Sequence, residues 1–409
     1  MLVNFYKMKQ LLGKTFSSLK IRNYRIYYFG QIISVSGTFL QALAQDWLVL
    51  KLTNSGTMLG LVLAFQFLPV LLLTFYGGVI ADRYPKLRLL YITQILSAIL
   101  ALGLGILVLS GAVQIWIVFI FALCLGLINS LYTPVSQSFV FEMVGKDEIK
   151  NAVSIWVILI SFARIIGPAI AGILIVTLGI GLCFIINAIS YIAVIIALMM
   201  LNKKELHVVP PPPASKSQIR DGLRYVRSTP ILFNALLMMA IIGTITYEWQ
   251  ASLPLFSKFI LKGDAGTYAS ITIAMAIGMI FGGLFNATSK TSSMKRLIIS
   301  AFLFGLTVII ASFATNLFIA LLIFFLVGIF SVAFANLSNA ILQINTDHNM
   351  RGRVMGLWAI AFFGSTAIGG PIIGWIGDAF GAQWTLIIGG LAAILASIIG
   401  YINWKYRIK

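Results

Sequence analysis

Three ionisable residues stand inside long apolar runs of this chain: Asp46, Glu248 and Arg164. An ionised side chain at the centre of a membrane-spanning helix costs about 2.5–3.5 kcal/mol even on the gentler insertion scale, so such groups face a cavity, a partner or the bundle interior. A carboxylate held there is suited to take up a proton on one side of a membrane and release it on the other. For Asp46 the alternative is that it reaches water at the outer surface and orients its helix near Lys51. Arg164 is always charged. It either meets a cavity carboxylate or anionic ligand, or snorkels to a membrane face, lying 14 residues beyond Lys150.

The elements that must position these residues are set by composition. Of 409 residues, 60% are hydrophobic and 10% charged, against about 25% charged in a soluble domain. Twelve stretches are long and apolar enough to span a bilayer: 27–50, 58–80, 89–109, 115–141, 153–177, 182–201, 231–256, 268–288, 297–313, 317–344, 354–376 and 384–404. None alternates polar and apolar residues as a barrel strand does, which predicts an all-α membrane protein. The apolar stretch after the basic N-terminal region runs on through Trp47-Leu48-Val49-Leu50, so an uncleaved first span is expected rather than a signal peptide.

The net charge of +18 does not point to nucleic acid, because the basic residues sit in short clusters between spans. With twelve spans, the side holding both termini carries 25 Lys and Arg, while the other carries Lys51, Lys258 and Lys262. This asymmetry predicts cytoplasmic termini. Cys124 and Cys183 lie in apolar runs and His207 and His348 in polar loops, giving neither a disulfide framework nor a metal set. No nucleophile–histidine pair and no phosphate-binding loop is evident, so neither an enzyme nor ATP drive is expected, and no cofactor.

The spans divide into a segment 1–26, a bundle 27–201, a linker 202–230, a second bundle 231–404 and a tail 405–409. The linker carries Pro210-Pro211-Pro212-Pro213, a stiff spacer, and a basic stretch from Ser215 to Arg227 that reads as an amphipathic surface helix. Phe5–Tyr24 reads as a similar surface helix.

The two bundles repeat. Asp46-Trp47 falls on Glu248-Trp249, Ser136-Gln137 on Ser338-Asn339 and Trp156 on Trp358, all at an offset of 202, and Gly167-Pro168 falls on Gly370-Pro371 at 203. The repeat is parallel, the arrangement expected of an alternating-access carrier with its path between the halves.

The run Gly78-Val79-Ile80-Ala81-Asp82-Arg83-Tyr84-Pro85-Lys86-Leu87-Arg88 resembles the loop signature of the major facilitator superfamily, with Pro85 in place of the usual Gly. Ala163 to Gly172 resembles the fifth-span motif of that superfamily's antiporters, with Ala at two Gly positions. The run Gln45 to Thr53 and the later Asp82-Arg83 resemble the bacterial branch that holds macrolide-efflux proteins and the enterobactin exporter.

The resemblance implies a proton-coupled exporter of amphipathic small molecules such as drugs, macrolides or siderophores, working as a monomer in a bacterial inner membrane. The alternative is a carrier of the same fold for a nutrient, metabolite or lipid. Asp46 and Glu248 would couple protons. Gln41, Asn129, Tyr132, Gln137, Trp156, Arg164, Trp249, Asn336, Asn339, Gln343 and Trp358 would line the substrate cavity. Gly78, Asp82, Arg83 and Arg88 would gate the cytoplasmic side, the acid facing the positive start of the eleventh helix near Arg353. Gly167, Pro168, Gly172, Gly370 and Pro371 would form kinks and close contacts between the halves.

Overall fold

The computed structural model describes residues 16–207, 218–287, 292–347 and 349–408. The tetraproline run and His348 lie outside the described residues, as does most of the N-terminal surface-helix expectation. Of that segment a 3-10 turn at Ser17–Lys20 is described, and Tyr24 already belongs to the first span.

Lipid offers no partner to backbone amides, so each apolar run satisfies its own as a helix. Among the described residues twelve long helices result, and all but the first meet the length and apolarity needed to cross a membrane. They are α1 (Arg22–Thr53), α2 (Gly56–Arg83), α3 (Lys86–Leu109), α4 (115–144), α5 (146–177) and α6 (Gly181–Met199), then α7 (Pro230–Ile260), α8 (Ala265–Ala287), α9 (Met294–Ser312), α10 (Leu317–Ile344), α11 (Arg351–Phe380) and α12 (Ala382–Asn403). Helices α4 and α5 are joined without a loop, and the chain turns at Gly145, whose φ of 71° admits glycine readily. Outward faces carry exposed side chains such as Ile173, Phe285 and Phe318. The polar side chains of Gln31, Asn187 and Asn234 are buried inside the bundles, the reverse of a soluble fold.

Spans α1–α6 and α7–α12 form two bundles that meet on one face only. On the face away from the basic loops, a Cβ on Gly56 of α2 would come within 2.6 Å of the Gly374 carbonyl of α11, and one on Gly172 of α5 within 2.7 Å of Ala269 of α8. The backbones touch there because both sides are glycine or alanine. On the basic face a Cβ added to Gly78, Gly283, Gly352 or Gly356 would meet nothing within 4 Å. The halves therefore part toward the basic side.

The linker helix (Gln218–Ser228) packs against the bundle as well as presenting a basic face. Val226 is buried, Asp221 pairs with Arg353 of α11 at 3.4 Å, and the Tyr225 hydroxyl donates to Asp347 at 2.9 Å. It occupies the start of α11, the place the resemblance gave to Asp82.

Candidate functional site

Two spans of the second half are interrupted where their first-half counterparts run unbroken. α7 is helical to Ile245 and resumes at Trp249, with Glu248 at ψ 53°. The break is pinned: Thr246 donates to the Gly389 carbonyl of α12 at 2.7 Å and Tyr247 to the Ser331 carbonyl of α10 at 2.6 Å. Opposite, α11 widens into a π turn at Ile360–Gly364. Trp156 and Pro168 are 12 residues apart and Trp358 and Pro371 are 13, so the wide turn takes up the extra residue and accounts for the change in repeat offset. Such irregular turns recur at functional sites.

An aromatic cluster surrounds the break. Trp358 stacks on Phe362 at 5.0 Å and 11°, Phe362 meets the Tyr247 ring edge-on at 5.1 Å, and Trp249 lies 6.4 Å from Tyr247. From the first half, Arg164 of α5 reaches into this cluster. Its guanidinium sits 5.7 Å above the Phe39 ring, contacts the Met279 sulfur of α8 at 3.4 Å and acts electrostatically on Tyr247. Arg164 therefore points between the halves and does not snorkel. Its Nε and the indole nitrogens of Trp249 and Trp358 are buried with no hydrogen-bond partner among the described residues.

The two acids differ in setting. Asp46 is 1% exposed and accepts a hydrogen bond from the Tyr268 hydroxyl of α8 at 2.9 Å, with the Gln250 side chain of α7 beside it, so it bridges the halves. It does not reach the outer surface. Glu248 is equally buried and stays within its own half. It packs against Gly369, with the Thr366 hydroxyl beside it.

Around the cleft, Gln137 of α4 and Asn336 and Gln343 of α10 are exposed although they lie in apolar spans. Asn339 accepts from Gln343 at 2.6 Å, and Asn129, Tyr132 and Trp156 are half-buried, the Tyr132 hydroxyl donating to Gln31 at 3.3 Å. Gln41 departs from expectation: it is buried within the first half and accepts from Asn187 of α6 at 2.7 Å, because that face of α1 turns toward α6.

Of the gating residues, Asp82, Arg83 and Arg88 are exposed. The charged contact at this loop is instead Lys86 with Glu142 of α4, at 2.7 Å and nearly buried. Gly167 packs on α1 and Gly370 on α2: a Cβ added at each would come within 2.6 Å of Phe39 and 3.2 Å of Leu63 respectively, closer than ordinary contact. Pro168 and Pro371 lie inside their helices.

Sequence reading missed the lock on the closed face. Asp378 of α11 receives the Ser55 hydroxyl and the Gly56 amide at 2.6 Å and the Thr57 amide at 2.9 Å, at the start of α2. Lys258 of α7 donates to the Leu50 carbonyl at 2.9 Å and Asn54 at 2.6 Å, at the end of α1. The short α1–α2 turn is thus gripped by an anion at a helix start and a cation at a helix end, the signs that helix dipoles favour. Lys258 could be singled out as one of few cations on that face; nothing in the sequence marked Asp378 or Tyr268.

Two parallel bundles of six helices, touching at one face and parting at the other, are the arrangement of a carrier with its path between the halves. Residues 13–407 match the family model described as transmembrane secretion effector, and the chain belongs to that family, within the major facilitator superfamily. It is 26% identical to the staphyloferrin A transporter of Staphylococcus aureus over 94% of this chain and 97% of the relative. It is 24% identical to the multidrug efflux pump Tap of Mycolicibacterium fortuitum, over 91% and 93%. It is 23% identical to the enterobactin exporter EntS of Shigella boydii, over 87% and 85%. In fold it is similar to a bacterial homologue of the human lysosomal transporter Spinster in an inward-facing, occupied conformation. That likeness has a TM-score of 0.73 at 13% identity, over 95% of this chain and 98% of that one.

Proposed function

We propose that this transporter is a proton-coupled exporter, an antiporter moving amphipathic small molecules such as drugs, macrolides or siderophores out across a bacterial cytoplasmic membrane. The basic face, with both termini, is then cytoplasmic, and the cleft open to that face is the state that loads substrate from inside.

The observation that carries the reading is the cross-half hydrogen bond from Tyr268 to Asp46. It exists only while the outer face is closed. Opening that face separates α1 from α8, breaks the bond and turns the Asp46 carboxylate toward outside water, where it takes up a proton as substrate leaves. Closing carries the proton inward, and loss to the cytoplasmic cleft restores the anion that Tyr268 holds. Glu248, at the matched position on the broken α7, serves as the second proton site. The electrical driving force is about 2.3 kcal/mol per charge per 100 mV.

The test is flux in proteoliposomes under an imposed pH gradient, with a radiolabelled macrolide and a radiolabelled siderophore. Asp46→Asn or Glu248→Gln should abolish gradient-driven accumulation while equilibrium binding stays measurable. Unchanged gradient-driven flux in both variants refutes the coupling.

A further inference from the structure

We propose that the cleft holds an oxyanion seat, in which Arg164 and the indole N–H groups of Trp249 and Trp358 bind the carboxylate or similar oxyanion of an amphipathic, acceptor-rich ligand while its apolar body lies on the Trp358–Phe362 stack. The assignment names a ligand class for the transporter proposed above and rests on that reading for its place in a transport cycle.

Three donors with no acceptor of their own surround one aromatic cluster: Arg164 Nε, Trp249 Nε1 and Trp358 Nε1. They come from both halves: the two tryptophans are linked through the rings of Tyr247 and Phe362, and Arg164 enters from the first half between Phe39 and Met279. Buried donors are nearly always satisfied in native proteins, and these three are complementary to a ligand that supplies acceptors. The nearby acids do not fill the role. Asp46 Oδ2 is held by Tyr268, Glu248 packs against Gly369 with both its oxygens likewise buried and unpartnered among the described residues, and neither acid forms an ion pair with Arg164. The remaining contacts of the guanidinium, the Phe39 face and the Met279 sulfur, are both uncharged. A planar guanidinium presents a fork that matches a carboxylate, and the stacked rings offer a flat apolar floor.

The probes are naphthalene carboxylate and its neutral isostere naphthalene carboxamide, titrated calorimetrically into the purified full-length protein without a gradient. The native protein should prefer the carboxylate by about ten- to a hundredfold, the worth of a hydrogen bond to a charged group. Arg164→Gln should bring the ratio near unity while carboxamide binding persists, which also reports that the variant is folded. Arg164→Lys, which keeps the charge and loses the fork, should retain a reduced preference. Trp249→Phe and Trp358→Phe should each lower carboxylate affinity more than carboxamide affinity. Equal affinity of the two probes for the native protein, binding of neither, or an undiminished ratio in Arg164→Lys together with both Trp variants overturns the proposal. Because no gradient is present, gradient-driven flux that is unchanged in Asp46→Asn and Glu248→Gln would overturn coupled export and leave this seat standing, whereas equal probe affinities would overturn the seat alone.

Discussion

Replacing Asp378 by Ala should tip the protein toward the state open on its outer face. The carboxylate receives three hydrogen bonds at the start of α2, two of them from backbone amides, and so acts as a helix cap supplied by the other half. Losing an N-cap costs about 0.5–2 kcal/mol, and a hydrogen bond to a charged group contributes about 1.5–3 kcal/mol. Asp378 is exposed, so water competes for it and the net loss falls near about 1–2 kcal/mol. These bonds exist only when the halves meet, so the whole loss falls on the closed-outside state, a shift of roughly 5- to 30-fold in the conformational equilibrium. Spin labels at Ser110 and Thr315, exposed on the α3–α4 and α9–α10 loops, report the separation of the halves on that face. Pulsed electron–electron resonance on Asp378→Ala should show a longer-distance population, with Asp378→Asn intermediate because it keeps one acceptor. An unchanged distance distribution would refute the reasoning.

Two further outcomes follow from the same contacts. Gly374→Leu places a branched side chain against the Gly56 backbone, so the face away from the basic loops should fail to close, read by the same labels. Lys86→Met leaves Glu142 without its cation at a nearly buried site. It should cost about 3–5 kcal/mol, seen as a lower unfolding temperature in detergent, while Lys86→Met combined with Glu142→Leu should recover much of that loss.

The order and helical nature of the apolar stretches were legible because lipid leaves an apolar run no other choice. Their ends were not. The reading gave 115–141 and 153–177 for α4 and α5, yet helix continues from 115 to 177 through Lys146–Lys150 around the single turn at Gly145. Hydropathy marks the part of a helix that crosses lipid, and hydrogen bonding carries the backbone on past it. The buried acids and Arg164 were visible as charges in apolar surroundings, but which neighbours they meet depends on helix rotation: Gln41 turned inward to α6 while Arg164 turned to the other half. The Asp82 expectation rests on a loop signature alone. With the basic face open, that acid is exposed and Arg353 is engaged by Asp221 of the linker helix.

The interruptions in α7 and α11 have a consequence for how far the pseudo-twofold extends. Trp47 and Trp156, counterparts of Trp249 and Trp358, ride on α1 and α5, which carry neither the gap at Thr246–Glu248 nor the wide turn at Ile360–Gly364. A chain spliced from two copies of residues 16–207 would reproduce the shell and its landmark tryptophans, yet have no kinked wall for cargo to lean on. The landmark tryptophans therefore follow the repeat, while the helix interruptions beside them belong to the second lobe alone.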